Sequence, residues 1–371
     1  MEIQKYLGQM KIIQERLLDF LDSERDNEEN YQNLIILLGN QKNQDVFESI
    51  INLISKISFH HHRSKDFFSK IEKILLFLKK DIEKFFTKSD IIRIFYKSRR
   101  MILFFIQENY FEIQDLYGFL KKKKYYEQQI EVYMKFFAPE FAIFKNENND
   151  ENQIEDFNQK RIIGENDYYI AELIRNDSIE EYISYSKKDE IMWCNRVPSS
   201  IFETNIFLYK KFLSIIEYAA FFGSTQIFKY MYLNGEKLTQ DLWLYAVHGN
   251  NQEIFEILKE NNVEPDEECC KECFKEAVKC HHNEMVNYFI KNNYVDEEFL
   301  KSTSDYKNNF DAYRLHYYNF AFFPEKIEEM SPFYLIHYNY FSLVKLLLEN
   351  DKFDLNKEIT IVEDNSYRKR I

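Results

Sequence analysis

The chain has 371 residues, a formal net charge of −13 and 17% aromatic side chains, but only seven glycines and five prolines. The negative charge argues against a nucleic-acid-binding protein, because phosphate binding needs a surplus of Lys and Arg. Scarce glycine and proline argue against folds rich in hairpins and coil, and favour a helical chain.

The cysteine pattern and the N-terminus bear on the compartment. Of five cysteines, four lie within residues 269–280, which is not the pattern of a secreted disulfide framework. The first twenty residues carry charges where a signal peptide needs an uninterrupted apolar core. Apolar runs are far shorter than the roughly 20 residues that span a bilayer. The sequence therefore predicts a soluble, cytoplasmic protein that does not bind membranes.

Residues 1–145 are predicted to form an N-terminal helical region. Apolar side chains recur there at helical intervals of three and four residues, as in the set Ile3, Leu7, Met10, Ile13, Leu17 and Leu21. Ile94 also stands eight residues before the apolar pair Ile102-Leu103, a spacing that recurs later in the chain. This region can therefore contain degenerate helical pairs.

Residues 146–169 are acidic and lack apolar periodicity, so they are predicted to be a linker. Helical order resumes at Ala171, which stands eight residues before Ile179. A longer connection follows between residues 186 and 208. Its large apolar side chains, including Trp193 and Phe202, are expected to cover other apolar groups.

One short apolar pattern occurs three times between Ile215 and Asn293. In each copy a small residue, Ala219, Ala246 or Ala277, stands eight positions before an apolar pair, and a second apolar pair begins three residues later. The copies start 27 and then 31 residues apart. Recurrence near this period, with a polar break inside each unit, predicts pairs of short antiparallel helices that stack on their neighbours.

The same spacing reappears near the C-terminus, where Leu335 stands eight residues before Leu343. Met285 and Leu343 are 58 residues apart, close to two periods, so a degenerate unit is expected over about 299–329. The repeat array is therefore predicted to cover residues 170–360, and residues 361–371 to form a tail.

Residues Ser214 to Gly235 resemble an ankyrin repeat, whose pattern is TPLHxAAxxGHxxVVxLLLxxG. Ala219 and Ala220 stand at its alanine pair and Gly223 at its turn glycine. In the next two copies Asn250 and His281 replace that glycine. Asparagine at least tolerates the left-handed backbone conformation that the turn requires.

Further phrases resemble a particular group of ankyrin proteins. Residues Ser331–Tyr334 are similar to the TPLH start, and Leu343–Leu348 to VVKLLL, although this last unit is one residue short in its middle. The segments SIFETN, EYAAFFGS, CHHNE and HHHRSKDFFSKIEKIL resemble a large protist family of ankyrin-repeat proteins with an uncharacterised helical N-terminal region.

This resemblance implies an all-α chain in which an ankyrin-type helical solenoid follows an N-terminal helical region. It also implies a protein–protein interaction scaffold, not an enzyme, with an unidentified protein bound on the concave face and at finger-like connections. The expected partner-binding residues are Tyr218, Phe222, Tyr245 and His248 on helices, and Glu236, Lys237, Glu264 and Asp266 in connections. Packing on a neighbouring repeat is the alternative role of the aromatic residues.

One cluster suggests chemistry, because thiolates and imidazoles are ligands that zinc prefers. It comprises Cys269, Cys270, Cys273, Cys280, His281 and His282. Its spacing fits no paired zinc-finger pattern, so buried thiols and capping imidazoles are the favoured interpretation. No catalytic residue, cofactor or metal ligand is therefore predicted. The alternative is a metal-binding or enzymatic protein with a site at 269–282 or in the N-terminal region, where His60–His62 are expected to form a polar loop.

Overall fold

The computed structural model describes residues 2–23, 27–41, 43–64, 66–122, 127–145, 151–188, 196–205, 207–209, 213–301, 310–323, 327 and 332–349. All regular structure in these ranges is helical, and the only β-type pairing in them is an isolated bridge between Arg196 and Ser214. The expected all-α class is therefore confirmed for the described residues. None of the helices found there is long and apolar enough to cross a membrane.

The helices are numbered along the chain. The first six are α1 (Glu2–Asp22), α2 (Glu28–Gly39), α3 (Gln44–His60), α4 (Phe67–Phe77), α5 (Lys79–Phe85) and α6 (Lys88–Phe95). The next five are α7 (Arg99–Gln107), α8 (Ile113–Lys122), α9 (Glu127–Phe136), α10 (Ala138–Lys145) and α11 (Glu151–Ile163).

Four consecutive helix pairs follow: α12 (Tyr169–Arg175) with α13 (Ile179–Lys188), α14 (Ile215–Phe222) with α15 (Thr225–Leu233), α16 (Leu242–Gly249) with α17 (Gln252–Glu260), and α18 (Glu267–Lys279) with α19 (Asn283–Lys291). The C-terminal elements are α20 (Glu297–Lys301), α21 (Phe310–His316), a 3-10 turn (Phe320–Phe322), α22 (Pro332–His337) and α23 (Phe341–Glu349).

Several helices begin at polar residues whose side chains accept hydrogen bonds from the first free backbone N–H groups. Asn27 and Asn43 cap α2 and α3 in this way, and Ser98 caps α7. Ser214 and Glu217 form a complete capping box at the start of α14. These caps explain why helices start at the polar breaks in the sequence.

The chain divides into two compact units. Unit 1 comprises Met1–Ile94 and Val295–Ile371, and unit 2 comprises Phe95–Tyr294. These boundaries differ from the predicted ones at residues 145 and 169. The difference arises because α7 packs within unit 2, where Arg99 donates to the carbonyl of Ile201 at 3.0 Å and Arg100 to that of Ile162 at 2.6 Å.

The segment predicted to be an acidic linker contains helix α11. The first residues of the predicted linker, 146–150, lie outside the described residues. Arg161 of α11 is buried, makes a two-pronged ion pair with Glu140 at 2.6 and 2.9 Å, and donates to the carbonyl of Phe136. A helix held by a buried ion pair has little apolar periodicity, so the hydrophobic pattern gave no sign of it.

Unit 1 is built from two stretches that are far apart in the sequence. Helix α1 packs against α2 and α4, and also against α23 and the 3-10 turn. The side chain of Gln14 donates to Oδ1 of Asn319 at 2.9 Å and accepts from the N–H of Phe320 at 2.7 Å. Nearby, the buried rings of Tyr318 and Tyr340 stack 4.5 Å apart. Residues 350–371, including the predicted tail, lie outside the described residues.

In unit 2 the helix pairs form a layered stack. The first helices of successive pairs, α12, α14, α16 and α18, pack in that order, and the second helices α13, α15 and α17 do the same. Ala219, Ala246 and Ala277 are completely buried between them. At Gly249 an added Cβ would lie only 2.4 Å from the carbonyl oxygen of Phe221, so α14 and α16 approach closely.

In each of the four helix pairs, a residue in the left-handed conformation follows within two residues of the end of the first helix. These corner residues are Asp177, Gly223, Asn250 and His281, with φ of 49°, 69°, 51° and 61°. The next N–H bonds back to the carbonyl five residues earlier, as Ser224 does to Ala219, which is a Schellman-type helix end. Asn250 and His281 therefore do replace the turn glycine. In the first pair Leu173, not Ala171, takes the position of Ala219.

The same corner occurs at Asn109 after α7, at Tyr318 after α21 and at Asn339 after α22. The pair near the C-terminus thus has the predicted register. In the N-terminal region the corner lies at Asn109, between α7 and α8, and not at the position implied by the spacing from Ile94. In the range of the expected degenerate unit, the described residues after Tyr318 contain a 3-10 turn, and residues 302–309, 324–326 and 328–331 lie outside the described residues.

Candidate functional site

Residues 196–205 and 207–209, here called the covering segment, lie across the first helices of unit 2. The ring of Phe207 contacts Phe221 of α14 at a centroid distance of 5.6 Å, and Tyr245 and His248 of α16 at 5.3 Å each. Phe202 is buried against Phe157 of α11, in line with its expected covering role. Trp193 lies outside the described residues.

The covering segment changes the interpretation of the helical residues expected to bind a partner. Tyr218, Tyr245 and His248 are all buried, and Phe222 is half-buried against the ring of Tyr218 at 4.7 Å. They do not form an open surface because Phe207 packs on two of them and the hydroxyl of Tyr218 accepts a hydrogen bond from Arg175 at 3.2 Å. Packing, the alternative considered for the aromatic residues, describes their positions here.

The residues expected in the connections have a different environment. Lys237, Glu264 and Asp266 are exposed, and Glu236 is partly exposed. Asp266 also caps α18, because its Oδ1 accepts from the N–H of Cys269 at 2.8 Å.

The same Asp266 side chain links the two connections. Its Oδ2 accepts from Nε2 of Gln240 at 2.9 Å, and the backbone N–H of Asp266 donates to Gln240 Oε1 at 3.2 Å. These donors, Cys269 first, hold the pKa of the Asp266 carboxyl below its usual value. The connections are therefore ordered relative to each other and carry an ionised carboxylate.

The exposed border formed by these connections and the start of α18 is acidic, and is here called the acidic edge. It carries Glu236, Asp241, Glu264, Asp266, Glu267 and Glu268, with Lys237 as a cation among them. Lys271 pairs with Glu267 in the first turns of α18. A surface of this charge attracts cationic groups over a distance set by the ionic strength.

Beneath the covering segment lies a buried polar cluster that joins two neighbouring helix pairs. His248 of α16 meets Glu276 of α18 and Cys280 at the end of α18, and these residues are 1%, 6% and 0% exposed. Nδ1 of His248 lies 2.8 Å from Glu276 Oε1 and 3.4 Å from Cys280 Sγ, and the sulfur lies 3.4 Å from Glu276 Oε1.

A neighbouring amide determines the tautomer of His248. Oδ1 of Asn205 accepts from the N–H of Phe207 at 2.8 Å, so its Nδ2 faces Nε2 of His248 at 3.3 Å. Nε2 is therefore the acceptor of that contact, and the ring proton resides on Nδ1, from which it is donated to Glu276.

The charges of the cluster follow from burial and from Lys279. Burial by itself would raise the pKa of Glu276, but the Lys279 ammonium, 2.6 Å from Oε2, and His248 together hold this pKa well below its usual range. Burial, assisted by the Glu276 carboxylate, raises the pKa of the Cys280 thiol well above its usual value. A buried protonated thiol of this kind is a poor nucleophile.

The structure does not gather the cysteines and histidines of 269–282 at one point. Cys269 and Cys273 lie on the same face of α18 with their sulfur atoms 4.0 Å apart, while Cys270 contacts the carbonyl of Pro265. His281 is a corner residue, and His282 Nδ1 lies 2.8 Å from the carbonyl oxygen of Val247. These are the packing and capping roles that the sequence favoured.

Sequence reasoning did not connect His248 or Glu276 with Cys280. The signal was present in the repeat register: His248 stands two residues before its corner, and Glu276 and Cys280 stand five residues and one residue before the next corner. Neighbouring first helices bring these positions together. A comparison of polar residues across adjacent copies, instead of along one copy, would have found the cluster.

Two other places, a histidine cluster in unit 1 and a small cavity in unit 2, are weaker candidates for a functional site. In unit 1, His60 ends α3 and both His60 and His61 are buried, with Nε2 of His61 2.8 Å from Asp22 Oδ1, so the expected polar loop is a packed helix end. In unit 2, the cavity beside Tyr218 and Glu203 has room for about one water molecule. That space is too small for an organic ligand.

In a comparison with known protein families, one family model matches part of the chain. A family model described as a domain of unknown function (DUF3447) matches residues 233–323. No curated protein and no solved structure matches the chain. The matched span covers less than half of the chain, and it contains the acidic edge and the corners at Asn250, His281 and Tyr318.

Proposed function

We propose that this chain is a protein–protein interaction scaffold built on an ankyrin-type helical solenoid. The observation that carries the proposal is the succession of helix pairs in unit 2, which share one corner geometry and present ordered, exposed connections along one border. Stacked repeats of this kind create the extended concave surfaces that repeat proteins use for binding. The proposal places the chain in the cytoplasm and assigns it no reaction.

The partner is proposed to bind at the acidic edge and on the parts of the concave face that the chain leaves open. Tyr245 and His248 are already covered by Phe207, so they support the surface from beneath. Glu236, Lys237, Glu264 and Asp266 remain as the direct contacts. Connections on a rigid scaffold are where repeat proteins usually carry recognition.

The chemistry of the edge favours a partner with a basic surface or segment. Six carboxylates face the two cations Lys237 and Lys271 there, and the whole chain has a net charge of −13. Complementary charge mainly raises the association rate and selects the partner. Capture of the partner should therefore weaken as the salt concentration rises.

The test is affinity purification with mass spectrometry, using the full chain and a variant of the edge. Because Asp266 caps α18, the variant combines Glu264→Lys with Asp266→Asn, since asparagine also caps helices well. The matched control is Glu256→Lys, a charge reversal at an exposed position of α17.

We expect proteins that are captured by the wild type and by the control to be lost by the edge variant, with melting temperatures unchanged. The captured proteins should carry basic surfaces and be released by salt. Identical capture by all three chains would exclude the acidic edge as the binding surface.

A further inference from the structure

We propose that His248, Glu276 and Cys280 form a binding site for one zinc ion inside unit 2. The three side chains come from two neighbouring first helices, so the ion would link two repeats. The proposal is independent of partner binding, because the cluster lies in the interior beneath the covering segment and not at the acidic edge.

The donor atoms have the correct separation for a common ion. Nδ1, Oε1 and Sγ form a triangle with sides of 2.8, 3.4 and 3.4 Å, whose corners lie about 1.9 Å from a common centre. An ion slightly above this plane would therefore lie about 2.0–2.3 Å from all three atoms, which are the bond lengths of zinc to nitrogen, oxygen and sulfur.

The donor set favours zinc over other abundant cations. An imidazole, a carboxylate and a thiolate are the three ligand types that zinc accepts, whereas calcium and magnesium require oxygen donors. Three protein ligands leave one position of a tetrahedral ion for a water molecule. The complete burial of Cys280 also keeps its sulfur from reacting with soluble oxidants.

Groups around the triangle would orient its ligands. Lys279 holds the second oxygen of Glu276 at 2.6 Å, and Oε1 is the oxygen that contacts His248 Nδ1 and Cys280 Sγ. Phe207 covers the imidazole face, and the Lys279 ammonium lies 5.6 Å from the centre of the Phe207 ring. Supporting contacts of this kind tune metal affinity in known sites.

Binding requires two changes of protonation. Cys280 must lose its thiol proton to solvent, so that one proton is released for each ion bound. The proton on Nδ1 of His248 must move to Nε2, and the imidazole stays neutral. Nε2–H then needs an acceptor, so the amide of Asn205 has to turn its oxygen toward the ring and leave the N–H of Phe207.

Zinc binding changes the total charge of the cluster by one unit. Without the ion, the Glu276 carboxylate is balanced by Lys279. With zinc, the two charges of the ion are balanced by Glu276 and the Cys280 thiolate, and the interior gains one positive charge in total. Asn205→Asp would neutralise this charge and provide an acceptor for both Nε2–H and Phe207 N–H, which makes it a diagnostic variant.

The experiment measures zinc binding to the full chain after removal of metal with a chelator. Zinc content after equilibrium dialysis is determined by elemental mass spectrometry, and cobalt(II) is added separately as an optical probe of thiolate ligation. The matched control is the double variant Cys269→Ser with Cys273→Ser, which removes the closest pair of thiols on α18 outside the triangle.

We expect one zinc ion per chain in the wild type and in this double variant, with a thiolate-to-cobalt absorption band in both. Cys280→Ser and His248→Gln should weaken zinc binding by at least about tenfold, and Asn205→Asp should strengthen it. Zinc should raise the melting temperature of the wild type but not that of Cys280→Ser, whose own folding is checked by circular dichroism without metal.

Three outcomes would overturn the proposal: no zinc bound by the wild type, zinc retained by Cys280→Ser, or binding lost in the Cys269/Cys273 double variant. The cobalt band of the double variant keeps the test decisive if Cys280→Ser does not fold. Absence of this band would show that no thiolate outside Cys269 and Cys273 takes part in binding.

Discussion

The carboxamide of Gln14, in the first helix, bonds to the carboxamide of Asn319 at 2.9 Å across 305 residues of chain, and both side chains are completely buried. Gln14 also accepts from the N–H of Phe320. This double contact fixes the 3-10 turn against α1 and completes the core of unit 1.

Replacement of Gln14 should therefore destabilise unit 1. In Gln14→Ala, the Phe320 N–H and the Asn319 oxygen lose a buried partner, which costs about 1–3 kcal/mol in the free energy of unfolding. Urea unfolding followed by circular dichroism measures the change. Lys11→Ala, at an exposed position of the same helix, should change stability by less than about 0.5 kcal/mol. Equal effects of the two variants would contradict a structural role for Gln14.

Gly249 should tolerate no side chain. Its Cβ would lie 2.4 Å from the Phe221 oxygen and 3.0 Å from the Ala220 oxygen, both backbone atoms that cannot rotate away. Gly249→Ala should lower stability by about 1–3 kcal/mol because α14 and α16 are forced apart. Gly118→Ala in α8 meets nothing within 4 Å and should raise stability by about 0.5–1 kcal/mol. Thermal unfolding of both variants provides the comparison.

The corner at Asn250 can be tested without changing a packed side chain, because this residue is exposed. At φ of 51° an alanine is strained, so Asn250→Ala should cost about 1 kcal/mol. Asn250→Gly should leave stability unchanged or raise it, since glycine adopts this conformation freely. A melting temperature of Asn250→Ala equal to that of Asn250→Gly would show that the left-handed corner is not formed in solution.

Glu276 should contribute a pH-dependent stability. The pKa of its carboxyl is lowered in the folded chain, from an ordinary value of 4.5, so its contribution is complete above about pH 4.5 and is lost as the pH falls toward the folded-state pKa. Glu276→Gln should therefore lower stability by about 2 kcal/mol at pH 7, and by less at pH 4 and pH 3. Urea unfolding at the three pH values checks this. A difference that grows in acid would contradict the ionised state assigned to Glu276.

The sequence predicted the local geometry well where one rule governed it. Ala219, Ala246 and Ala277 each stand four residues before a left-handed corner, and Leu335 does so as well. At the three alanines the rule worked because small side chains let the first helices approach closely. It misplaced the first pair by two residues, because Leu173 fills the position that alanine has in the later pairs.

The apolar spacing in the sequence could not predict polar contacts or contacts between residues far apart in the chain. Helix α11 is held by the Arg161–Glu140 pair, and apolar periodicity does not report such a contact. The covering of Tyr245 and His248 depends on where Phe207 returns in space. The expected contact residues in the connections are exposed or partly exposed, because short polar connections between stacked helices lie at the surface.

The division of unit 1 into two stretches affects how the chain can fold during synthesis. Residues 95–294 form unit 2 as one continuous stretch, so it can fold from local helix pairs as soon as it leaves the ribosome. Helices α1 to α6 are synthesised before unit 2, but the segment from Phe310 to Glu349 that packs on them is synthesised after it. The apolar faces of α1 to α6 can therefore be fully covered only after all of unit 2 has been synthesised.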